Sequence, residues 1–188
     1  MALQLCQNEA EESDDDTVCL GESFFVNREY NLTTFTFGPH SLRLLCLRSA
    51  STDYDLTGQL VWPGAVLLNN YLSDNAGILE GCSIIELGSG VGITGVLCSK
   101  FCHEVVLTDH NDEVLEIMRK NIELQSTLEN PSCAALRAMK LEWGNSDHLS
   151  KILQEFPTGF DLVLGADIYI LFVHNFSPLL FKSLANFP

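Results

Sequence analysis

The chain has 188 residues, 46% hydrophobic and 19% charged, which is ample for one domain with a sizeable core and too apolar for a disordered chain. Ten Lys and Arg stand against 25 Asp and Glu, a formal net charge of −15. That balance disfavours nucleic acid and anionic membrane, since both are held mainly by Lys and Arg.

The first residues, Met1-Ala2-Leu3-Gln4, carry no basic segment followed by an apolar one, so no secretory signal is expected. Residues 9–16 read EAEESDDD, a self-repelling block expected to be a solvated, disordered acidic tail within residues 1–20. Residues 21–58 are expected to form an N-terminal β extension. There Thr34-Phe35-Thr36-Phe37 alternates polar with apolar, Gly38-Pro39 marks a turn, and Leu42 to Leu47 resumes an apolar run. Ser49 to Gly58 reads as a loop. Ala65 to Leu72 has apolar residues at helical spacing, with Pro63 suited to a first turn.

After Gly81 strands and helices alternate. Strands are expected at Ser83–Leu87, Glu104–Thr108, Ala134–Leu141 and Phe160–Ala166. Helices are expected at Ile93–Phe101, Asp112–Leu124 and His148–Phe156. This order predicts an α/β fold, a mostly parallel sheet with helices on both faces. The seven cysteines are scattered, as free buried thiols in a reducing compartment are. Cys98, Cys102 and His103 lack a second ligand pair at zinc spacing, so no metal site is expected.

The chemistry sits in Glu86-Leu87-Gly88-Ser89-Gly90-Val91-Gly92. It follows a strand and opens a helix, the context in which glycines let backbone approach a ligand closely. A dinucleotide fingerprint puts its third glycine five positions after the first. Here that position is Ile93, and the third glycine is Gly92. Glu86 would repel a pyrophosphate, whereas a ligand carrying ammonium or sulfonium tolerates it. Asp109 ends the next strand, 21 residues after Gly88. An acid there suits ribose hydroxyls in either reading.

The run E-L-G-S-G-V-G followed by V-V-L-T-D resembles the cofactor site of seven-β-strand, S-adenosylmethionine-dependent methyltransferases. Leu60-Val61-Trp62-Pro63-Gly64-Ala65, Leu141-Glu142-Trp143-Gly144 and Gly165-Ala166-Asp167 complete an ordered set of four motifs. The set is similar to the family-16 group of protein methyltransferases, largely lysine-specific enzymes. The resemblance implies a Rossmann-like sheet over residues 59–188 and S-adenosyl-L-methionine as cofactor. It implies that Gly88, Ser89 and Gly90 wrap the methionine and ribose, with Glu86 on the methionyl ammonium side. Asp109 would accept from both ribose hydroxyls. Trp143 would lie against adenine, Trp62 would close the pocket, and Ala166 would sit beneath the sulfonium. Asp167 and Tyr169 would be the catalytic pair bordering the methyl-transfer channel, Asp167 as a docking and orienting group. The group usually carries D-x-x-Y; here Asp167-Ile168-Tyr169 brings the tyrosine one position early.

The implied function is methyl transfer to a lysine of a protein substrate by a cytoplasmic or nuclear monomer. A small-molecule methyltransferase and a non-catalytic cofactor-binding chain are the alternatives. Only four core strands are accounted for by Ala166, and Leu171 to Phe187 supplies about one helix. The sheet is therefore expected to be C-terminally incomplete, with an uncovered apolar edge, and the chain to bind cofactor weakly and turn over slowly.

Overall fold

The computed structural model describes residues 30–47, 54–128 and 134–168. The acidic tail, Tyr169, the expected helix at 171–187, and Cys6, Cys19 and Cys133 lie outside the described residues.

Strands β1 (Asn31–Phe37) and β2 (His40–Cys46) form the expected antiparallel hairpin, with Phe37 opposite His40 across the Gly38-Pro39 turn. Alternation sets its faces: Phe37, Leu42, Leu44 and Cys46 are buried, while Thr34, Thr36 and Arg43 face outward. The segment read as a loop holds a short 3₁₀ helix at Tyr54–Gln59. The Leu47 N–H donates to the Gln59 carbonyl at 3.0 Å, which fastens this helix to the end of the hairpin. Helix α1 follows at Pro63–Asp74.

The main sheet contains β3 (Ser83–Glu86), β4 (Glu104–Asp109), β5 (Ala135–Lys140) and β6 (Leu162–Leu164), in the order β5-β4-β3-β6, all parallel. Helices α2 (Ile93–Cys98), α3 (Asp112–Leu128) and α4 (Ser146–Glu155) connect them. The central strands β3 and β4 are buried on both faces, as parallel strands between helices are, while β5 at the edge is half-buried to exposed. Ile84, Val105 and Leu107 pack into one core with α1, α2 and α3. Ile85 and Val106 point the other way, into a second core with Leu149 and Ile152 of α4. The expected α/β fold and N-terminal hairpin are both present.

Some boundaries differ from the sequence reading. Helix α2 ends at Cys98, because the chain turns through Ser99 and Lys100 to start β4. Strand β6 is shorter than expected, with β3 as its partner in the sheet. Helix α4 starts earlier than expected because Asn145 caps it, its side-chain oxygen accepting from the N–H groups of Asp147 and His148.

Two buried polar residues of α3 join the hairpin to the sheet domain. The Leu45 N–H donates to Asn121 Oδ1 at 2.7 Å, and Asn121 Nδ2 donates to the carbonyls of Leu45 and Val91 at 3.0 and 2.9 Å. One helical turn on, Gln125 Nε2 donates to the Arg43 carbonyl at 2.8 Å. These side chains satisfy the outer edge of β2, which no further strand pairs among the described residues.

Helix α2 lies very close to β4 at Gly95. A Cβ there would fall 2.0 Å from Leu107 Cδ2, and Leu107 is fully buried. Gly95→Ala is therefore expected to destabilise the fold by about 1–3 kcal/mol through overpacking. Helix propensity alone would favour alanine by about 1 kcal/mol. Urea denaturation reads the difference, and a variant more stable than wild type would show that α2 can move off β4.

Candidate active site

Strand β3 lies between β4 and β6, so the connections leaving its carboxyl end diverge and open a crevice there, the general ligand position in open α/β sheets. A cleft of about 500 Å³ occupies this position. Trp62, Glu86, Gly88, Ser89, Gly90, Asp109, Trp143, Ala166 and Asp167 all line it. The structure thus brings together every expected site residue except Tyr169, which lies outside the described residues.

The glycine loop hugs its surroundings. Gly90 has φ +54°, and a Cβ there would stand 2.8 Å from the Gly58 carbonyl oxygen, so the 3₁₀ segment lies directly on the loop. Gly92 takes a left-handed φ of +86° just before α2, where its spacing departs from a dinucleotide loop. Ser89 is turned into the fold. Its hydroxyl donates to the Glu86 carbonyl at 3.1 Å and accepts from the Thr108 N–H at 3.0 Å. Its side chain therefore ties the end of β3 to β4, and its own N–H adds to the tie by donating to the Thr108 carbonyl at 2.8 Å.

Asp109 is 7% exposed. One carboxylate oxygen accepts from the Gly90 N–H at 3.2 Å and the other from the Asn111 N–H at 3.1 Å. A carboxylate offers about four lone-pair sites, so the group is held rigidly and retains acceptor capacity for a pair of hydroxyls.

Glu86 is 2% exposed, and its carboxylate accepts from the Gly95 N–H at 3.2 Å. Burial pushes its pKa up to about 7, against the pull of the neighbouring Thr94 and Ser89 hydroxyls and the Gly95 N–H; the Asp109 charge adds to the rise.

Two aromatic residues flank the cleft. The Trp62 indole N–H donates to the Thr57 carbonyl at 2.7 Å. Trp143 lies with its ring edge near Gly88, 3.6 Å from where a Cβ would stand. Its loop is fixed on the side leading into it: the Leu141 N–H donates to the Asp109 carbonyl at 2.9 Å, and the Glu142 N–H to His148 Nδ1 at 3.3 Å. At the β6 end, Asp167 has φ +53°, a left-handed conformation uncommon outside glycine, though asparagine and aspartate adopt it more readily than most. Its Oδ2 accepts from the Ala65 N–H at 3.1 Å.

Sequence reasoning missed Gly58, Asn111, Glu142 and Ile168 at this cleft. The motif L-E-W-G contained Glu142, and Asn111 follows Asp109 closely. Gly58 had no local signal. Among the described residues no group of three or more His, Cys, Asp or Glu is placed to hold a metal ion.

Residues 45–187 match the model of a family described as lysine methyltransferase. The chain is 33% identical over 143 residues to the mouse protein N-lysine methyltransferase METTL21A, covering 74% of this chain and 59% of that protein. It is 33% identical to the protein-lysine N-methyltransferase EFM3 of Chaetomium thermophilum, covering 69% of this chain and 38% of that one. It is also 31% identical to the mouse histone-arginine methyltransferase METTL23, covering 60% of this chain and 41% of the relative. Among solved structures, a putative RNA methyltransferase from Pyrococcus horikoshii is similar with a TM-score of 0.44 and 17% identity, over 74% of this chain and 62% of that one. The chain thus spans less than two thirds of each of these relatives. With a family match over more than half its length, the chain belongs to the lysine methyltransferase family.

Proposed function

We propose that this chain binds S-adenosyl-L-methionine in the cleft and serves methyl transfer to a lysine of a protein substrate. The observation that carries the reading is Asp109, fixed by the Gly90 and Asn111 N–H groups beside the glycine loop with acceptor capacity to spare. The donor set suits the cofactor: a rigid acid for ribose hydroxyls, a buried acid on the side of a cationic amino acid, and two tryptophans for flat or cationic surfaces. When bound, the cofactor supplies an activated methyl on a good leaving group, so no covalent protein nucleophile is required.

The chain's own contribution is positioning and solvent exclusion. A lysine must be neutral to attack, and deprotonating one at pH 7 costs about 4.6 kcal/mol from its reference pKa. Desolvation in a cleft walled by Trp62, Trp143, Val61 and Ala166 lowers that cost. Asp109, Glu142 and Asp167 give the cleft negative charge, which favours approach of a cationic segment. Excess acid over the whole chain supports a basic protein segment as partner over nucleic acid or anionic lipid. Cys46, Cys82, Cys98 and Cys102 are free thiols, which supports a reducing cytoplasm or nucleus as the setting. No helix among the described residues is long and apolar enough to cross a membrane. We read the working unit as a monomer.

The test is incubation of the chain with methyl-labelled cofactor and cell lysate, then acid hydrolysis and chromatography of the amino acids. Label in methyllysine is the expected result. Label in methylarginine would make the acceptor that of the histone-arginine relative. Label confined to small molecules would overturn the protein substrate.

A further inference from the structure

Helix α1 begins without a local cap. Its N-cap residue is Trp62, which makes no side-chain capping bond, and Pro63 at the first position has no N–H to offer. No acid stands in the first turn. The partner comes instead from 102 residues away, where Asp167 Oδ2 accepts from the Ala65 N–H at 3.1 Å. Gly64 makes room for it: a Cβ on Gly64 would lie 2.5 Å from both carboxylate oxygens. Asp167 reaches this place from a left-handed backbone at φ +53°, the kind of conformation that persists only where surroundings hold it.

We propose that Asp167 is a positioning residue for the cofactor pocket, a long-range helix cap that clamps the Trp62-Pro63-Gly64-Ala65 wall to the end of β6, and that it acts on the cofactor through this wall. The inference rests on the reading that the cleft holds the cofactor. The wall carries Trp62 and Ala65, and the β6 end carries Ala166; all three line the one cleft. The clamp therefore sets the distance between two of its sides. A carboxylate at a helix N-terminus is also favoured by the helix dipole.

Two readouts on the 188-residue chain test this. The first needs no cofactor: hydrogen exchange of the Ala65 amide by NMR. Asp167→Ala is expected to speed that exchange about tenfold or more, the scale of a lost cap. Asp167→Asn keeps an acceptor oxygen and is expected to preserve protection. Gly64→Ala, which ordinarily favours a helix, is expected to behave like Asp167→Ala by displacing the carboxylate, and the double variant to be no worse than either alone. The second readout is the dissociation constant for S-adenosylhomocysteine by calorimetry. It is expected to rise about tenfold in Asp167→Ala and Gly64→Ala, following the lost cap, and to recover in Asp167→Asn. An unchanged Ala65 amide in Asp167→Ala would overturn the clamp. So would an unchanged dissociation constant with a fall in turnover alone, which would make Asp167 a group that orients the lysine. If the wild-type chain bound no S-adenosylhomocysteine while Ala65 exchange changed as expected, the clamp would stand as a structural cap and the cofactor reading would fall.

Discussion

Asp109→Ala is expected to lower the affinity for S-adenosylhomocysteine by about 100-fold or more. Hydrogen bonds to a charged group contribute about 1.5–3 kcal/mol each, and 1.4 kcal/mol is a factor of ten. Two ribose hydroxyls on one carboxylate therefore account for two decades or more. The fold is expected to survive, because Asp109 is the last residue of β4 and the apolar core of that strand lies in Val105, Val106 and Leu107. The variant also releases the Gly90 and Asn111 N–H groups, which costs about 1 kcal/mol of stability each. Asp109→Asn separates the two effects, since its amide oxygen still accepts from one of them while the charge is gone. Calorimetry reads the affinity, and urea denaturation reads the stability. Wild-type affinity in Asp109→Ala would remove the ribose from this part of the cleft.

Glu86→Gln is expected to stabilise the ligand-free chain at alkaline pH and to change little in acid. The sign follows from the raised pKa. In the folded chain Glu86 titrates near 7, against an ordinary value of 4.5, because burial disfavours its charge. The folded state therefore holds a proton that the unfolded state has lost between those two values, and stability falls as pH rises through that window. At about 1.36 kcal/mol per unit the loss amounts to roughly 3 kcal/mol. Glutamine removes the charge and can still accept from the Gly95 N–H. Its new amide donors have a neighbour in the Thr94 hydroxyl, which is buried without a well-oriented partner. Urea unfolding from pH 5 to pH 8.5 should show the wild type losing stability while the variant stays level. Parallel curves would mean that Glu86 is hydrated when ionised. In the cofactor reading, a methionyl ammonium favours the ionised carboxylate, so wild-type affinity is expected to rise with pH through about 7 and that rise to vanish in the variant.

What the sequence made legible follows periodic or local rules. Ile84-Ile85 and Val105-Val106-Leu107 are short apolar runs because parallel strands bury both faces. The glycine loop and Asp109 stood out because a ligand site needs backbone approach and a fixed acid at adjacent strand ends. The resemblance added Trp62, Trp143 and Ala166, which the residues alone would have left as core or surface. What stayed hidden depends on residues far apart in the chain. Asn121 and Gln125 sit on the buried side of α3 because they pair the edge of β2. In the sequence they look like interruptions of an apolar stripe. The segment at 54–59 is short and polar, and only the fold shows it pressed on Gly90. Asp167 was legible as a site candidate through its motif, but its bond to Ala65 joins positions with no periodic relation. Ser89 lines the cleft as expected, and the bonds its hydroxyl makes to the β3–β4 junction had no local signal.

The central claim is that this cleft holds S-adenosyl-L-methionine against Asp109. Its most direct test is one set of calorimetric titrations of the chain with S-adenosylmethionine, S-adenosylhomocysteine and NAD, each repeated on Asp109→Ala. Saturable binding of the first two, loss of both in the variant, and no response to NAD are the expected results. Saturable NAD binding with no response to the other two would contradict the claim.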